Sequence, residues 1–188
     1  NKYSLRSNGR GVKRMDINTA FKVDFLQIKS IDFKKKKKLI NKILEDYPEK
    51  RFKNFSSNRN NANFSLKFFN IFAEELNNIC KNMEGVMQSG DVWSVSYRKG
   101  DYHVPHNHGS KGYCGILYLN MQKNSPVTSY MQPWNNHNDD SIIYEPKVEE
   151  GDIVIVPQFI THFTKPNNLK FKKRIISFDF KLDLPLYR

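Results

Sequence analysis

The sequence predicts a mainly β domain of the α+β class, in which helices in the first half support a sandwich or barrel of short strands. Its 188 residues are enough for one domain with a substantial core. Apolar residues recur at helical spacing before Gly90, whereas afterwards they form short runs separated by Gly, Pro and Asn. Several short strands without intervening helices are typical of sandwiches and barrels. We therefore expect one domain, 1–188, with supporting elements in 1–90 and the β core in 91–180.

The first half contains one predicted strand and two predicted helices. Residues Phe21 to Lys29 alternate well enough for a strand, and Asp32 is a candidate cap for the lysine-rich helix that follows. That helix must end by Pro48, because proline cannot continue the helical hydrogen bonds. Ser65 is predicted to cap the next helix, whose apolar stripe indicates packing against the core. The stripe consists of Phe69, Phe72, Ala73, Leu76, Ile79, Cys80 and Met83.

The second half is predicted to be a series of strands. Trp93, Val95 and Tyr97 alternate with polar residues, as in a half-buried strand. Further strands are predicted in the segments YCGILYLN, SIIYE, GDIVIVP and KRIISFDFKL. Residues Met121 to Asp140 are predicted to form a long polar loop, and loops of this length in compact domains are often lids or binding loops.

The chain is strongly basic, with a net charge of +12 and a pI near 9.6. An excess of positive charge is compatible with an anionic partner such as nucleic acid. However, the run from Lys34 to Lys38 falls in a segment with helical periodicity, so its lysines fit the solvated face of an amphipathic helix. Aromatic residues are not interleaved with these lysines as in single-strand binders. A nucleic-acid-binding module is therefore the disfavoured alternative.

Cellular location is predicted from the cysteines and from the hydropathy of the chain. Cys80 and Cys114 lie in a predicted helix and a predicted strand, and we expect both to be reduced and buried, as in cytoplasmic proteins. No apolar run approaches the roughly 18 residues of a membrane span, and the first residues lack a signal-peptide core. The sequence thus favours a cytoplasmic protein of a bacterium or of a phage-infected host cell, without a membrane partner, and it leaves the oligomeric state open.

Three of the five histidines stand close together, at His103, His106 and His108. On a strand, His106 and His108 would lie on one face and could bind the same metal ion. His162 follows a second apolar strand and is the candidate third ligand. His103 and His137 lie in predicted loops and are weaker candidates.

These segments resemble the iron(II)- and 2-oxoglutarate-dependent dioxygenases, and in particular small bacterial and phage oxygenases near the prolyl hydroxylase branch. His106 and His108 occupy the H-x-D position, GILYLN is the strand that follows, and GDIVIVPQFITH delivers His162. Arg174 comes twelve residues later, in a final strand. The resemblance implies a double-stranded β-helix, also called a jelly-roll, with supporting N-terminal helices.

The resemblance also implies the cofactors and the reaction. Fe(II) would be held by His106, His108 and His162, with open positions for 2-oxoglutarate and O2. Arg174 would bind the distal carboxylate of 2-oxoglutarate, assisted by Tyr118 and Ser177. The expected activity is hydroxylation of an unactivated C–H bond in a peptidyl residue or a small molecule, with succinate and CO2 as co-products.

One position departs from the family pattern, because His108 stands where the family has a carboxylate. Three histidines leave the charge of Fe(II) without an anionic ligand, and such sites also suit zinc. Asp101, Asp139 or Asp140 could supply a carboxylate, although no spacing argues for it. The same segments also fit the two cupin motifs, so the alternative is a cupin-type metal-dependent enzyme or binder that does not use 2-oxoglutarate.

Overall fold

A computed structural model describes residues 23, 25–59, 61–136 and 138–183. The first half contains β1 (Leu26–Lys29), α1 (Phe33–Asp46), β2 (Lys50–Arg51), β3 (Ser56–Ser57), α2 (Ala62–Ile71) and α3 (Ala73–Asn82). The second half contains β4 (Val86–Tyr97), β5 (His103–His106), β6 (Tyr113–Asn120), β7 (Thr128–Met131), β8 (Ile143–Tyr144), β9 (Asp152–Pro157), β10 (His162–Thr164) and β11 (Lys173–Asp183).

The strands form two antiparallel sheets. The larger sheet has seven strands in the order β1-β9-β6-β11-β4-β3-β2, and the smaller has four in the order β5-β10-β7-β8. Neighbouring strands are mostly distant in sequence, and β11 pairs with both β4 and β6. The predicted α+β, mainly β class and the double-stranded β-helix are confirmed.

Two apolar cores lie on opposite faces of the larger sheet. One core joins the helices to the sheet and includes Phe68, Phe72 and Phe178. The other lies between the two sheets and includes Trp93, Tyr118 and Ile175. Because successive strand residues point to opposite faces, β11 contributes alternate side chains to the two cores. The helices therefore cover the outside of the sheet, and the inter-sheet space is left for a site.

The helices differ from the sequence prediction in their starts and in their number, because the second predicted helix is divided at Phe72 into α2 and α3. Asp32 precedes α1 in a left-handed conformation, and its side chain makes no capping hydrogen bond. α1 ends at Asp46, before Pro48, as predicted. The predicted cap at Ser65 is wrong: Asn61 caps α2 by accepting from the Phe64 N–H at 3.1 Å. Ser65 lies inside α2, where its hydroxyl accepts a hydrogen bond from the Val92 N–H at 2.9 Å.

The longer strands of the β half are found where the sequence predicts them, but the prediction omits the short strands β5, β7 and β10. β6, β8 and β9 lie within the predicted strand segments, and β11 ends only one residue beyond its segment. β4 begins at Val86, which is earlier than the predicted start of the β core at residue 91. The predicted loop 121–140 contains the buried strand β7. Its first three residues, Thr128 to Tyr130, are buried, although their composition is largely polar. At the N-terminal end, β1 covers the last part of the predicted strand, while Phe21, Lys22 and Asp24 lie outside the described residues.

The lysine-rich helix uses part of its charge in ion pairs. Lys36 binds the buried Glu75 at 2.7 Å, and Lys37 binds Glu150 at 2.8 Å. Lys34, Lys35 and Lys38 are exposed. This arrangement fits the solvated amphipathic helix favoured above. Among the described helices, none has the length and apolar character needed to cross a membrane.

Candidate metal and 2-oxoglutarate site

Three histidines from two chain segments meet at the open end of the inter-sheet space. His106 ends β5 and His162 begins β10, and the two are paired directly in the smaller sheet. His108 lies two residues beyond β5, where its N–H donates to the Gln158 carbonyl at 3.0 Å. One ligand atom from each ring lies within 4.8 Å of the others. The structure therefore brings together the three predicted ligands, although His108 is in a loop and not on a strand.

Hydrogen bonds fix the tautomer of all three rings. Nδ1 of His106 lies 2.8 Å from the Val104 carbonyl, and Nδ1 of His162 lies 3.0 Å from the Ile160 carbonyl. Nδ1 of His108 lies 2.6 Å from Oδ1 of Asp179. Carbonyl and carboxylate oxygens only accept, so each Nδ1 carries the proton and donates. In the neutral form of each ring, the lone pair is therefore on Nε2, where it can bind a metal ion.

This donor set fits a divalent transition metal. Neutral imidazole suits Fe, Zn, Cu and Ni, and a hydrogen bond from the second nitrogen is the usual support of a metal-bound histidine. Burial, followed by the neighbouring His106, lowers the pKa of His162 to about 3, so this ring is neutral at physiological pH. The residues that are present therefore fit Fe(II).

A fourth histidine lies beside the three. His103 was predicted to be a weaker candidate, but its ring centroid lies 4.1 Å from that of His106, and it lines the same cavity. Its Nδ1 is 3.5 Å from the Tyr97 hydroxyl. Burial, with the neighbouring His106 and His108, lowers its pKa to about 3. His137 lies outside the described residues.

A cavity of about 160 Å³ extends from the histidines into the inter-sheet space. Its walls are largely apolar, with Val95, Ile116 and Ile175 among them. The remaining lining residues are Phe52, Phe55, Ser57, Arg59, Trp93, Tyr97, His103, His106, His108, Thr128, His162, Thr164 and Ser177. No acidic side chain in the described part of the chain lines this cavity.

Arg174 does not face the cavity, so its predicted role requires correction. The strand alternates, and Arg174 lies on the opposite face of β11 from Ile175 and Ser177. Its Nε donates to the Ser96 hydroxyl and contacts Oε1 of the buried Glu49, each at 3.0 Å. Arg174 therefore compensates a buried carboxylate on the far side of the sheet.

The neighbouring residue, Lys173, is the cation on the cavity side of β11. It is completely buried, and no described residue accepts a hydrogen bond from its Nζ. Nζ lies 5.0 Å from the ring centroid of Tyr97, which lines the cavity, and 5.8 Å from that of Tyr118. Burial lowers the pKa of Lys173 to about 7. A buried amine without an acceptor is costly, and an incoming anion would remove that cost.

The two remaining predicted cofactor residues lie on the cavity side. Ser177 lines the cavity directly. Tyr118 is fully buried beside Lys173, and its hydroxyl accepts from the Thr128 N–H at 3.3 Å. Burial raises the pKa of Tyr118 to about 12, which keeps its hydroxyl protonated.

None of the three aspartates considered as extra ligands is directed at the histidines. Asp101 accepts two hydrogen bonds from Arg51, at 2.6 and 2.7 Å. Asp139 and Asp140 bond asparagines within the exposed loop. The carboxylate at the site is Asp179, which the sequence analysis missed. The sequence gives no signal for this role, because both faces of β11 are largely apolar and alternation does not show which face borders the histidines.

The fold and the three oriented histidines define a metal-dependent double-stranded β-helix protein. Residues 91–179 match the sequence model of the family described as "Putative 2OG-Fe(II) oxygenase". This segment, just under half of the chain, is similar to the 2OG-Fe(II) oxygenases, enzymes that use Fe(II) and 2-oxoglutarate. A search of curated protein sequences found no match to this chain.

Solved structures share the fold at low sequence identity. HygX from Streptomyces hygroscopicus, with nickel and 2-oxoglutarate bound, has a TM-score of 0.65 and 12% identity over 88% of this chain and 84% of that chain. A Pseudomonas putida prolyl-4-hydroxylase has a TM-score of 0.56 and 11% identity over 84% and 91%. The viral collagen prolyl hydroxylase of Paramecium bursaria Chlorella virus-1 has a TM-score of 0.54 and 14% identity over 83% of this chain and 94% of that chain.

Proposed function

We propose that this oxygenase holds Fe(II) with His106, His108 and His162 and anchors the distal carboxylate of 2-oxoglutarate on Lys173. The observation that carries the proposal is the buried Lys173 ammonium, which lacks an acceptor among the described residues and contacts the cavity-lining Tyr97. The predicted anchor, Arg174, is already engaged by Glu49 on the other face.

Each residue of the site has a task that follows from its surroundings. Nε2 of the three histidines would bind the metal ion, which in enzymes of this family activates O2 while 2-oxoglutarate is oxidised to succinate and CO2. Lys173 would bind the carboxylate as a point charge, with the Tyr118 hydroxyl beside it as a protonated donor. The apolar walls exclude water from the inner cavity, which strengthens these electrostatic contacts.

The outer part of the cavity supports a substrate with an apolar or planar group and without positive charge. Phe52 and Phe55 stack at 5.2 Å, and the Arg59 guanidinium lies 4.6 Å from the Trp93 ring centroid. Arg59 is the one arginine among the described lining residues, which include no lysine, aspartate or glutamate. A peptidyl residue or a small molecule would fit this outer part, in keeping with the prolyl hydroxylases among the structural neighbours.

The test compares two adjacent residues. Anaerobic protein loaded with Fe(II) is titrated with 2-oxoglutarate, and binding is followed by the weak charge-transfer absorption; in air, succinate is then quantified. Lys173→Ala should weaken 2-oxoglutarate binding roughly 10- to 100-fold, because a charged hydrogen-bond partner contributes about 1.5–3 kcal/mol. Arg174→Ala should bind within about threefold of wild type. If Arg174→Ala weakened 2-oxoglutarate binding more than Lys173→Ala, the assignment would be refuted. If the wild-type protein bound metal but not 2-oxoglutarate, the cupin-type alternative would be favoured.

A further inference from the structure

The ligand that departs from the family pattern is also the one ligand bonded to a carboxylate. Among the described residues, His106 and His162 donate to backbone carbonyls, whereas His108 donates to Asp179 at 2.6 Å. Position 108 is where a carboxylate would have been expected to bind the metal directly. A negative charge is therefore present at this corner of the site, but it is separated from the metal position by one imidazole ring.

The contact between His108 and Asp179 is built into the fold. The side chain of His108 is 5% exposed and that of Asp179 is 17% exposed, so water competes weakly for the hydrogen bond. The Trp93 ring packs against His108 with centroids 5.3 Å apart. The imidazole is thus held between an indole ring and a carboxylate, which leaves its Nε2 directed to the other two histidines.

The strand geometry at Asp179 is also specialised. The register between β11 and β4 shifts between Phe178 and Phe180, which places Asp179 at a bulge. Bulges near functional sites redirect a side chain. Gly90 of β4 lies against this point, and a Cβ atom at position 90 would come within 2.6 Å of the Asp179 carbonyl oxygen. The close approach of the two strands therefore requires glycine at position 90.

We infer that Asp179 is a positioning residue that replaces the missing carboxylate ligand: through His108 it orients the ring and supplies the negative charge that three neutral histidines lack. This inference rests on the proposed metal site but not on 2-oxoglutarate binding. A carboxylate bonded to a metal-bound imidazole raises the basicity of the ring and fixes its tautomer. The charge balance of the site then approaches that of a two-histidine, one-carboxylate centre, although every metal ligand is nitrogen.

The test measures metal affinity without co-substrate, using Co(II) alone and a competing chelator. Asp179→Asn keeps the size of the side chain and removes its charge, and it should weaken Co(II) binding about 10- to 100-fold. The matched control is Asp183→Asn, which removes one negative charge from the same strand at an exposed site bonded to Gln88. The control should bind Co(II) within about twofold of wild type.

The inference is overturned if Asp179→Asn binds Co(II) within about threefold of wild type, or if the control weakens binding equally. A second measurement needs no variant. Long-range 1H–15N spectra of the zinc-loaded wild-type protein should show His108 protonated at Nδ1 and metal-bound at Nε2, and the opposite pattern would also overturn it. Because neither measurement uses 2-oxoglutarate, failure of the proposed oxygenase activity would leave this result unaffected.

Discussion

Replacing Lys173 by methionine is expected to stabilise the protein while it weakens 2-oxoglutarate binding. Lys173 is fully buried without an acceptor among the described residues, and burial lowers its pKa from 10.5 to about 7. At about 1.36 kcal/mol per pKa unit, this shift corresponds to a cost of about 4 kcal/mol at pH 7. Methionine has a similar shape and no charge, so Lys173→Met should recover much of that free energy.

The stability that Lys173→Met gains over the wild type is expected to fall as the pH rises. Between pH 7 and 10.5 the unfolded chain binds a proton at Lys173 that the folded protein does not, so the wild type gains stability as the pH rises through this window. The advantage of Lys173→Met in the free energy of unfolding should therefore shrink by about 2 kcal/mol between pH 7 and pH 9. Urea denaturation of both proteins at the two pH values measures this difference.

A nearby lysine provides the control for this experiment. Lys181 lies on the same strand and is exposed, and Lys181→Met should change the free energy of unfolding by less than about 0.5 kcal/mol. If Lys173→Met were less stable than wild type at pH 7, or if its advantage were equal at both pH values, the description of Lys173 as an uncompensated buried amine would be refuted.

Three further changes test other parts of the structure. Arg174→Gln should lower the free energy of unfolding in urea by about 1–3 kcal/mol, because Glu49 loses its guanidinium partner inside the protein. The affinity for 2-oxoglutarate should stay unchanged. Loss of that affinity would contradict the assigned orientation of Arg174. Gly115→Ala should cost at least about 1–3 kcal/mol, since a Cβ there would overlap the Phe178 ring, and an unchanged melting temperature would be inconsistent with this packing. Ni(II) at 100 times its dissociation constant should add about 2.7 kcal/mol to the free energy of unfolding and raise the melting temperature by roughly 5–10 °C. His162→Ala should remove this shift. A shift that persists in the variant would place the metal elsewhere.

The three candidate metal ligands could be predicted to lie together from their positions in the sequence. His106 and His108 are close in sequence, and His162 follows an apolar strand that the composition of the segment makes evident. The fold of the β half could also be predicted, because β6 and β9 are nearly continuous apolar runs. β7 was missed because its burial depends on the neighbouring strands β8 and β10 and not on its own largely polar residues.

The choice between Lys173 and Arg174 could not be made from the sequence. Both residues are basic, and they precede two consecutive isoleucines, Ile175 and Ile176, which are buried on opposite faces of β11. When both faces of a strand are apolar, alternation does not reveal which face is which. Only the positions of Glu49 on the far side and the cavity on the near side distinguish the two cations.

Both faces of β11 make essential contacts, which limits where residues can be inserted or deleted in this protein. One face of the strand carries Ile175 and Ser177, which line the cavity, and the other carries Ile176, Phe178 and Phe180, which pack against the helices. Inserting or deleting a single residue within the strand would exchange the faces for every position beyond it. Such a change would disable the site and expose the helix-packing residues together, so length variation is expected to be tolerated only in the flanking loops.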